Sequence, residues 1–78
     1  MTGDELIEAY REELRRVCGD EIARRSLVFR NQSWYYLSVA VRTKEGIKTD
    51  MFPKPIRRSE FEAELDKLTT DSEHGFHG

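Results

Sequence analysis

Apolar positions near the start of the chain recur with the period of an α-helix. Their spacing places them on a single stripe, and charged residues occupy the opposite face. The pattern predicts an amphipathic helix from about Gly3 to Cys18. The stripe consists of Leu6, Ile7, Tyr10, Leu14, Val17 and Cys18. Because Cys18 lies on this stripe, we expect its thiol to be buried and chemically inert.

Residues at both ends of this segment fit helix termini. Thr2 and Glu5 have the spacing of a capping box, in which each side chain accepts a hydrogen bond from the other residue's backbone amide. Gly19 is suited to end the helix. Ile22 would continue the apolar stripe, however, so two boundaries stay open. Either the helix runs on to about Arg24, or a short separate turn begins directly after the glycine.

The middle of the chain alternates with the period of two that is typical of β-strands. Between residues 34 and 42, one face holds Tyr35, Leu37, Val39 and Val41, and the other holds Trp34, Tyr36, Ser38, Ala40 and Arg42. We predict that the first face, which is apolar apart from one phenol, points toward the core. We also predict a short strand at 27–30, a turn at 31–33, a loop at 43–46 and a returning strand at 47–52.

The last third of the chain predicts a second helix. Two prolines in the preceding connector have no amide hydrogen to donate to a ladder, so they end the sheet. Ser59 and Glu62 have capping-box spacing at the start of the helix. Its apolar positions are Phe61, Leu65 and Leu68. The helical period stops at Thr69, so we predict one domain over 1–70 and a flexible C-terminal tail over 71–78.

The predicted order is α-β-β-β-α within one α+β domain. Short turns join the three strands, so they should form a three-stranded antiparallel sheet. Each helix has a single apolar stripe and needs a sheet to bury it. We predict a two-layer sandwich with both helices on one face of the sheet, which leaves the other face open to solvent.

Size and composition favour a small folded domain. With 78 residues, the chain is one domain, and its core contributes only about 3–5 kcal/mol of net stability. Aromatic residues, which disordered chains usually lack, make up 10% of it. The single cysteine excludes an internal disulfide, so we expect a reducing compartment, the cytoplasm. No run of residues is long and apolar enough for a membrane helix, and we expect no membrane contact.

The sequence contains no signature of catalysis or of cofactor binding. It has no glycine-rich phosphate loop, no metalloprotease motif and no nucleophile elbow. His74 and His77 lie in the predicted tail, without further ligands at a recognised metal-site spacing. A domain of this size also has little room for a deep pocket beside its core. We therefore expect a protein that is not an enzyme, with no catalytic residues, no metal site and no cofactor.

Charge is distributed unevenly along the chain. Residues 1–25 carry seven acids and five arginines, for a net charge of −2. Residues 26–58 carry seven cations and two acids, for +5, and residues 59–78 carry six acids and one lysine, for −5. A basic middle between acidic flanks makes nucleic acid or an acidic partner a candidate for the middle segment.

The open face of the sheet is the first candidate site. Its predicted partner-binding residues are Trp34, Tyr36, Arg42, Lys48 and Phe52. Aromatic residues and arginine are common hot spots of protein interfaces, and aromatic rings beside cations also stack on bases and contact phosphates. The alternative is that Trp34 and Tyr36 cover the sheet edge of the same monomer.

Basic residues ahead of the second helix form a second candidate, an anion-binding site. Its residues are Lys54, Arg57 and Arg58. Helix N-termini attract anions, and nearby cations add to that attraction. The alternative is that the acids of the helix neutralise these arginines. Another basic group is interleaved with acids, and we interpret it as a solvated surface of mixed charge: Arg15, Arg16, Arg24 and Arg25.

The element order over residues 3–68 resembles that of the double-stranded-RNA-binding domain. That family carries a lysine-rich motif at the start of its second helix, and Lys54, Arg57 and Arg58 fall near that point, ahead of the helix. The resemblance implies that these residues contact phosphates. The helix itself is acidic where the family's is alanine-rich, and its acids would repel a phosphate backbone. The outline of three strands and a helix over 34–68 is also similar to the arm-binding domains of tyrosine recombinases.

We expect a small non-enzymatic binding module: an adaptor, regulator or inhibitor that docks on a larger protein through the exposed sheet face. The alternative is a nucleic-acid-binding domain that uses the basic segment 26–58. A homodimer through a sheet edge is a third option, because an open sheet has two unpaired edges.

Overall fold

The computed structural model describes the backbone of residues 1–74 and the side chains of residues 1–70. It is a small α+β fold with helices and antiparallel strands, which confirms the predicted class. Its elements are α1 (Gly3–Cys18), α2 (Asp20–Arg25), β1 (Leu27–Asn31), β2 (Trp34–Ser38), β3 (Val41–Thr43), β4 (Gly46–Lys48) and α3 (Arg58–His74).

Helix α1 begins and ends where the sequence predicts. The amide of Glu5 donates to the Thr2 hydroxyl at 3.1 Å, and the amide of Thr2 donates to the Glu5 carboxylate at 3.0 Å, so the capping box is formed. These bonds with Thr2 lower the pKa of Glu5. Gly19 follows with φ +94°, a conformation that favours glycine, and α2 begins at the next residue. Of the two boundaries left open, the short separate element is therefore correct.

The strands form two separate two-stranded sheets, so the predicted three-stranded sheet is wrong. β1 pairs with β2, and β3 pairs with β4. The predicted strand over 34–42 is divided because the amide of Ala40 donates to the hydroxyl of Ser26, at 2.9 Å. Ser26 is held in place by its own bond to the Ile22 carbonyl, at 2.7 Å. The chain therefore leaves the first sheet after Ser38 and enters a second hairpin at Val41.

A residue of the connector to α3 takes the place beside β2 that we predicted for the returning strand. Tyr35 and Ile56 exchange two backbone hydrogen bonds of 2.8 Å, in an isolated antiparallel bridge. The predicted strand over 47–52 is reduced to β4, and Phe52 lies in the bend that follows it. The observed order is α-α-β-β-β-β-α, which differs from the predicted order α-β-β-β-α. The described residues also form no three-stranded sheet, so the resemblance to the two nucleic-acid-binding families is not supported.

The core lies between the inner face of the β1–β2 hairpin and helices α1 and α3, which also contact each other. Its buried members are Leu6, Ile7, Tyr10, Leu14, Val28, Tyr35 and Phe61. Phe61 is fully buried, and its ring centroid lies 5.1 Å from those of both Tyr10 and Tyr35. The core-facing orientation predicted for residues 34–42 is confirmed for Tyr35, Leu37 and Val39.

Two residues of the apolar pattern are exposed where burial was predicted. Val41 is 56% exposed, because the break at Ala40 places it on the second hairpin. Cys18 is exposed, so the prediction of a buried thiol is wrong. Full burial of the α1 stripe ends at Leu14, and the helix continues for one more turn past the core.

Helix α3 begins earlier and ends later than predicted. The carbonyl of Arg57 accepts the first helical bond, from the amide of Phe61 at 3.0 Å, and the Glu60 carboxylate accepts from the Arg57 amide at 3.4 Å. Ser59 therefore lies inside the first turn, and the predicted capping box with Glu62 is wrong. The helix continues through residue 74. The predicted tail over 71–78 stays a prediction, because residues 75–78 lie outside the described part of the chain.

Candidate functional site

The β1–β2 hairpin places three aromatic side chains on the face that points away from the helices. Phe29 is directly opposite Tyr36 in the hairpin register, and Trp34 lies two residues before Tyr36 on β2. Successive strand residues alternate in direction, so these three share one face, while Tyr35 points to the core on the other. We call the surface formed by Phe29, Trp34, Tyr36 and Arg57 the aromatic face.

Two rings of the aromatic face are exposed, and one of them stacks on the third. Phe29 is 42% exposed and Trp34 is 39% exposed, whereas Tyr36 is half-buried. The rings of Phe29 and Tyr36 are stacked, with centroids 4.7 Å apart and planes 9° from parallel. An aromatic pair of this kind contributes about 0.5–1.5 kcal/mol beyond the area that it buries. The stacked pair is therefore ordered before any partner binds.

Arg57 reaches this face because of the bridge between Tyr35 and Ile56. In an antiparallel pair, the bridge places the residue after Ile56 opposite the residue before Tyr35, which is Trp34. The guanidinium carbon of Arg57 lies 5.0 Å from the centre of the Trp34 ring, within the range of a cation–π interaction. The face thus holds a positive charge against its largest ring.

The sequence predicts two of the four residues of the aromatic face. Trp34 and Tyr36 follow from strand alternation, and the structure exposes the first and half-buries the second. Phe29 is absent from the prediction. The predicted turn at 31–33 would pair it with Tyr35, whereas the observed two-residue turn at 32–33 pairs it with Tyr36. Arg57 is predicted as an anion ligand, because nothing in the local sequence indicates its contact with Trp34.

The structure does not bring the other three predicted partner-binding residues onto the aromatic face. Arg42 and Lys48 belong to the β3–β4 hairpin. Arg42 lies 3.6 Å from a carboxylate oxygen of Glu21, and Lys48 lies 3.0 Å from one of Glu45. Phe52 is 89% exposed and lies in the bend after β4, outside the strands.

Two of the three residues of the predicted anion site have contacts of their own. Arg57 stacks on Trp34. Arg58 lies 3.6 Å from a carboxylate oxygen of Glu62 and donates to the backbone carbonyl of Met1. Lys54 is exposed and pairs with no carboxylate among the described side chains. Arg58 therefore pairs with an acid of the helix, as the alternative describes, and its role as an anion ligand stays a prediction.

Arg30, another cation of the basic segment, ties the start of α1 to the hairpin. Its guanidinium lies 3.0 Å from a carboxylate oxygen of Asp4 and donates to the carbonyl of Gln32 at 2.7 Å. Gly3 permits this approach, since a Cβ there would lie 2.6 Å from Arg30 Nε and 2.9 Å from the Tyr35 hydroxyl. Arg30 is therefore part of the fold and does not add charge to the aromatic face.

The groups with shifted pKa values serve the fold. Burial raises the pKa of Tyr10 to about 12, and the carboxylate of Glu64 adds to that rise. Tyr10 belongs to the core, and Glu5, whose pKa is lowered, caps α1. Among the described side chains, no three potential metal ligands come together. Within the same part of the chain, every helix is too short or too polar to cross a lipid bilayer.

No protein-family model matches this chain, and it matches no curated protein and no solved structure at a significant level. The aromatic face is therefore interpreted from its geometry and chemistry alone.

Proposed function

We propose that this chain is a small non-catalytic binding module, an adaptor, regulator or inhibitor, that docks on a larger protein through the aromatic face. The observation that carries the proposal is the exposure of Phe29 and Trp34 on one face, where Phe29 stacks on Tyr36 and Arg57 is held against the indole. Tryptophan, tyrosine and arginine are enriched among the hot spots of protein interfaces. Because the stacked rings are already ordered, they would lose little side-chain entropy when a partner binds.

Exposure of these rings costs a domain of this size stability that burial could supply. Burying a large apolar side chain contributes about 1.5–3 kcal/mol, which is a large share of the stability of so small a core. Phe29 and Trp34 keep about two fifths of their surface in water instead. A partner surface that covered them would recover this free energy.

The distribution of cations supports a protein partner over nucleic acid. Within the basic segment, Arg57 is the cation whose contact lies on the aromatic face. Four other cations each pair with a carboxylate: Arg30, Arg42, Lys48 and Arg58. Binding to a nucleic acid gains affinity from cations that neutralise phosphates. Nucleic acid is therefore the alternative, with stacking on the aromatic face as its basis.

A homodimer through the edge of β1 receives less support from the geometry. The guanidinium of Arg11 donates to the Val28 carbonyl of this edge strand at 2.7 Å. That acceptor is therefore already satisfied by a charged side chain, which is a common way to prevent pairing between edges.

Photocrosslinking from within the aromatic face tests the proposal. A photoreactive benzophenone side chain would replace Phe29 in one variant and Phe52, which lies outside the face, in a second. We expect a specific protein to be crosslinked from position 29 and not from position 52. Binding of that protein, once purified, should weaken about tenfold or more in Trp34→Ala, because hot-spot truncations commonly cost 2 kcal/mol or more. Arg57→Ala should weaken it in the same direction.

Phe52→Ala is the matched control, since it removes an exposed aromatic ring that lies outside the strands and stacks on no ring of the aromatic face. Unchanged binding in Trp34→Ala and Arg57→Ala, with circular dichroism showing an intact fold, would refute the proposal. Titration of labelled RNA and DNA at two salt concentrations tests the alternative. Binding that weakens steeply with salt and needs Trp34 would favour nucleic acid instead.

A further inference from the structure

A second candidate site lies in the corner between α1 and α2. A cleft of about 300 Å³ opens there. Its lining consists of Arg11, Arg15, Asp20, Ala23, Arg24 and Ser26. Three arginines thus border one concave space. The residues come from α1, from α2 and from Ser26, which directly follows α2, so the turn at Gly19 between the two helices brings them together.

Two of the three guanidinium groups are held in position by the fold. Arg11 donates to the Val28 carbonyl at 2.7 Å and lies 3.5 Å from a carboxylate oxygen of Glu8. The Nε of Arg15 lies 3.3 Å from a carboxylate oxygen of Asp20. Each contact leaves other N–H groups of the same guanidinium available, since arginine has five donors. Positioned forks of this kind suit oxyanions that can accept two bonds side by side.

The lining of the cleft has a surplus of positive charge. Three arginines face one carboxylate, that of Asp20, which gives the lining a net charge of +2. The hydroxyl of Ser26 is already committed, because it donates to the Ile22 carbonyl and accepts from the Ala40 amide. Recognition of a ligand in the cleft therefore falls to the arginines, which are donors only.

We propose that this cleft binds the diphosphate group of a small molecule. A diphosphate carries at least two negative charges and several acceptor oxygens, which matches the surplus charge and the donors of the lining. The volume lies at the lower end of the range for small-molecule pockets, so it fits a diphosphate and not a large ligand. The site is independent of the aromatic face.

Calorimetric titration of the whole chain with inorganic pyrophosphate and with ADP, at low ionic strength and without divalent cations, tests the proposal. The two ligands share the diphosphate and differ in its source, a free anion or a nucleotide. We expect saturable binding of at least one. Arg24→Gln and Arg15→Gln should each weaken it about tenfold, the usual effect of losing a hydrogen bond to a charged group.

Arg16→Gln is the matched control for these variants. It makes the same change of charge one residue from Arg15, but Arg16 pairs with Glu13 and does not line the cleft. The affinity of this variant for pyrophosphate and ADP should stay within about twofold of that of the unmodified chain. Equal weakening in Arg16→Gln and Arg15→Gln would show general electrostatic attraction and overturn the proposal, as would the absence of binding up to about 1 mM of both ligands.

Asp20→Asn provides a test in the opposite direction. Its carboxylate competes with the ligand for Arg15, so its removal should tighten binding about two- to fivefold. Glu12→Gln is the control, because it removes one negative charge from α1 outside the lining of this cleft. Tightening of the same size in both variants, or none in Asp20→Asn, would contradict a site centred on the three arginines.

Discussion

The two hairpins of this chain differ in what lies behind them. The β1–β2 hairpin has strands of five residues and buries Val28 and Tyr35 against the helices. The β3–β4 hairpin has strands of three residues, in which Ile47 is half-buried and the remaining residues are exposed. Both have antiparallel ladders, but only the first contributes to the core.

The comparison shows that burial, and not alternation, determines which strand-like segment joins the sheet. Residues 47–52 alternate as regularly as a strand, yet the place beside β2 is taken by Ile56, which packs against the core. A short hairpin without a packed face is only marginally stable. The β3–β4 hairpin is tethered to α2 by two exposed contacts, the Arg42–Glu21 pair and the bond from the Thr49 hydroxyl to the Arg25 carbonyl, at 2.9 Å.

Truncation of the core behind the first hairpin should have the largest effect. Phe61 is fully buried against Tyr10 and Tyr35, so Phe61→Ala should cost about 3–5 kcal/mol, which is comparable to the whole stability of so small a domain. We expect the variant to be largely unfolded at 25 °C by circular dichroism. Ile47→Ala on the second hairpin should cost less than about 1 kcal/mol. Similar losses of stability in both variants would contradict the conclusion that only the first hairpin contributes to the core.

The separation of the hairpins depends on Ser26. Ser26→Ala removes the acceptor of the Ala40 amide, and burial leaves that amide without a ready replacement, since Ala40 is 3% exposed. The expected cost is about 1–3 kcal/mol, measured by urea denaturation. Ser33→Ala, an exposed residue in the turn of the first hairpin, should change stability by less than about 0.5 kcal/mol. A near-neutral Ser26→Ala would show that something other than this bond divides the strand.

The bond between Ser26 and the Ala40 amide also explains why the sequence predicts the helices better than the sheet. The extent of α1 follows from local signals: the period of its stripe, the capping box at Thr2 and Glu5, and the glycine after it. The division of the long strand instead depends on a bond between residues 26 and 40, which no local pattern indicates. A period of two predicts that a segment is extended, but it does not predict where a contact with a distant side chain ends the strand.

The residues of the candidate site also differ in whether local sequence predicts them or a contact with a distant segment is needed. Trp34 and Tyr36 can be read from alternation within one segment. Phe29 requires the hairpin register in addition, which depends on a two-residue turn at 32–33, one residue shorter than the predicted turn. Arg57 requires the bridge between residues 35 and 56, a contact between distant parts of the chain that is known only from the fold.

Alkaline pH should act on the core behind the first hairpin through Tyr10. Its pKa is about 12 in the folded state, because burial disfavours the phenolate, and about 10 in the unfolded chain. Below pH 10 the phenol is protonated in both states and its contribution is complete. As pH rises from 10 through 12, the unfolded chain ionises first, so stability is lost over this window.

The measurement is the free energy of unfolding between pH 8 and 12, from denaturant titrations of the unmodified chain and of Tyr10→Phe. The phenylalanine variant should lose less stability over the upper part of this range, since it has no phenol to ionise. Equally steep losses in both proteins would show that Tyr10 does not link the core to pH.

Loss of a tether on the second hairpin should have the smallest effect. The Arg42–Glu21 pair spans 3.6 Å between side chains that are 67% and 47% exposed, so Arg42→Gln should lower the free energy of unfolding by less than about 0.5 kcal/mol. Native-state hydrogen exchange should nevertheless become faster at residues 41–48, because this hairpin has little else to hold it. The amides of Val28 and Tyr35 should exchange as before, since their strands are fixed by the core. Faster exchange in both hairpins would mean that they open as one cooperative unit. That result would contradict the distinction between the β1–β2 hairpin, which the core holds, and the β3–β4 hairpin, which surface contacts hold.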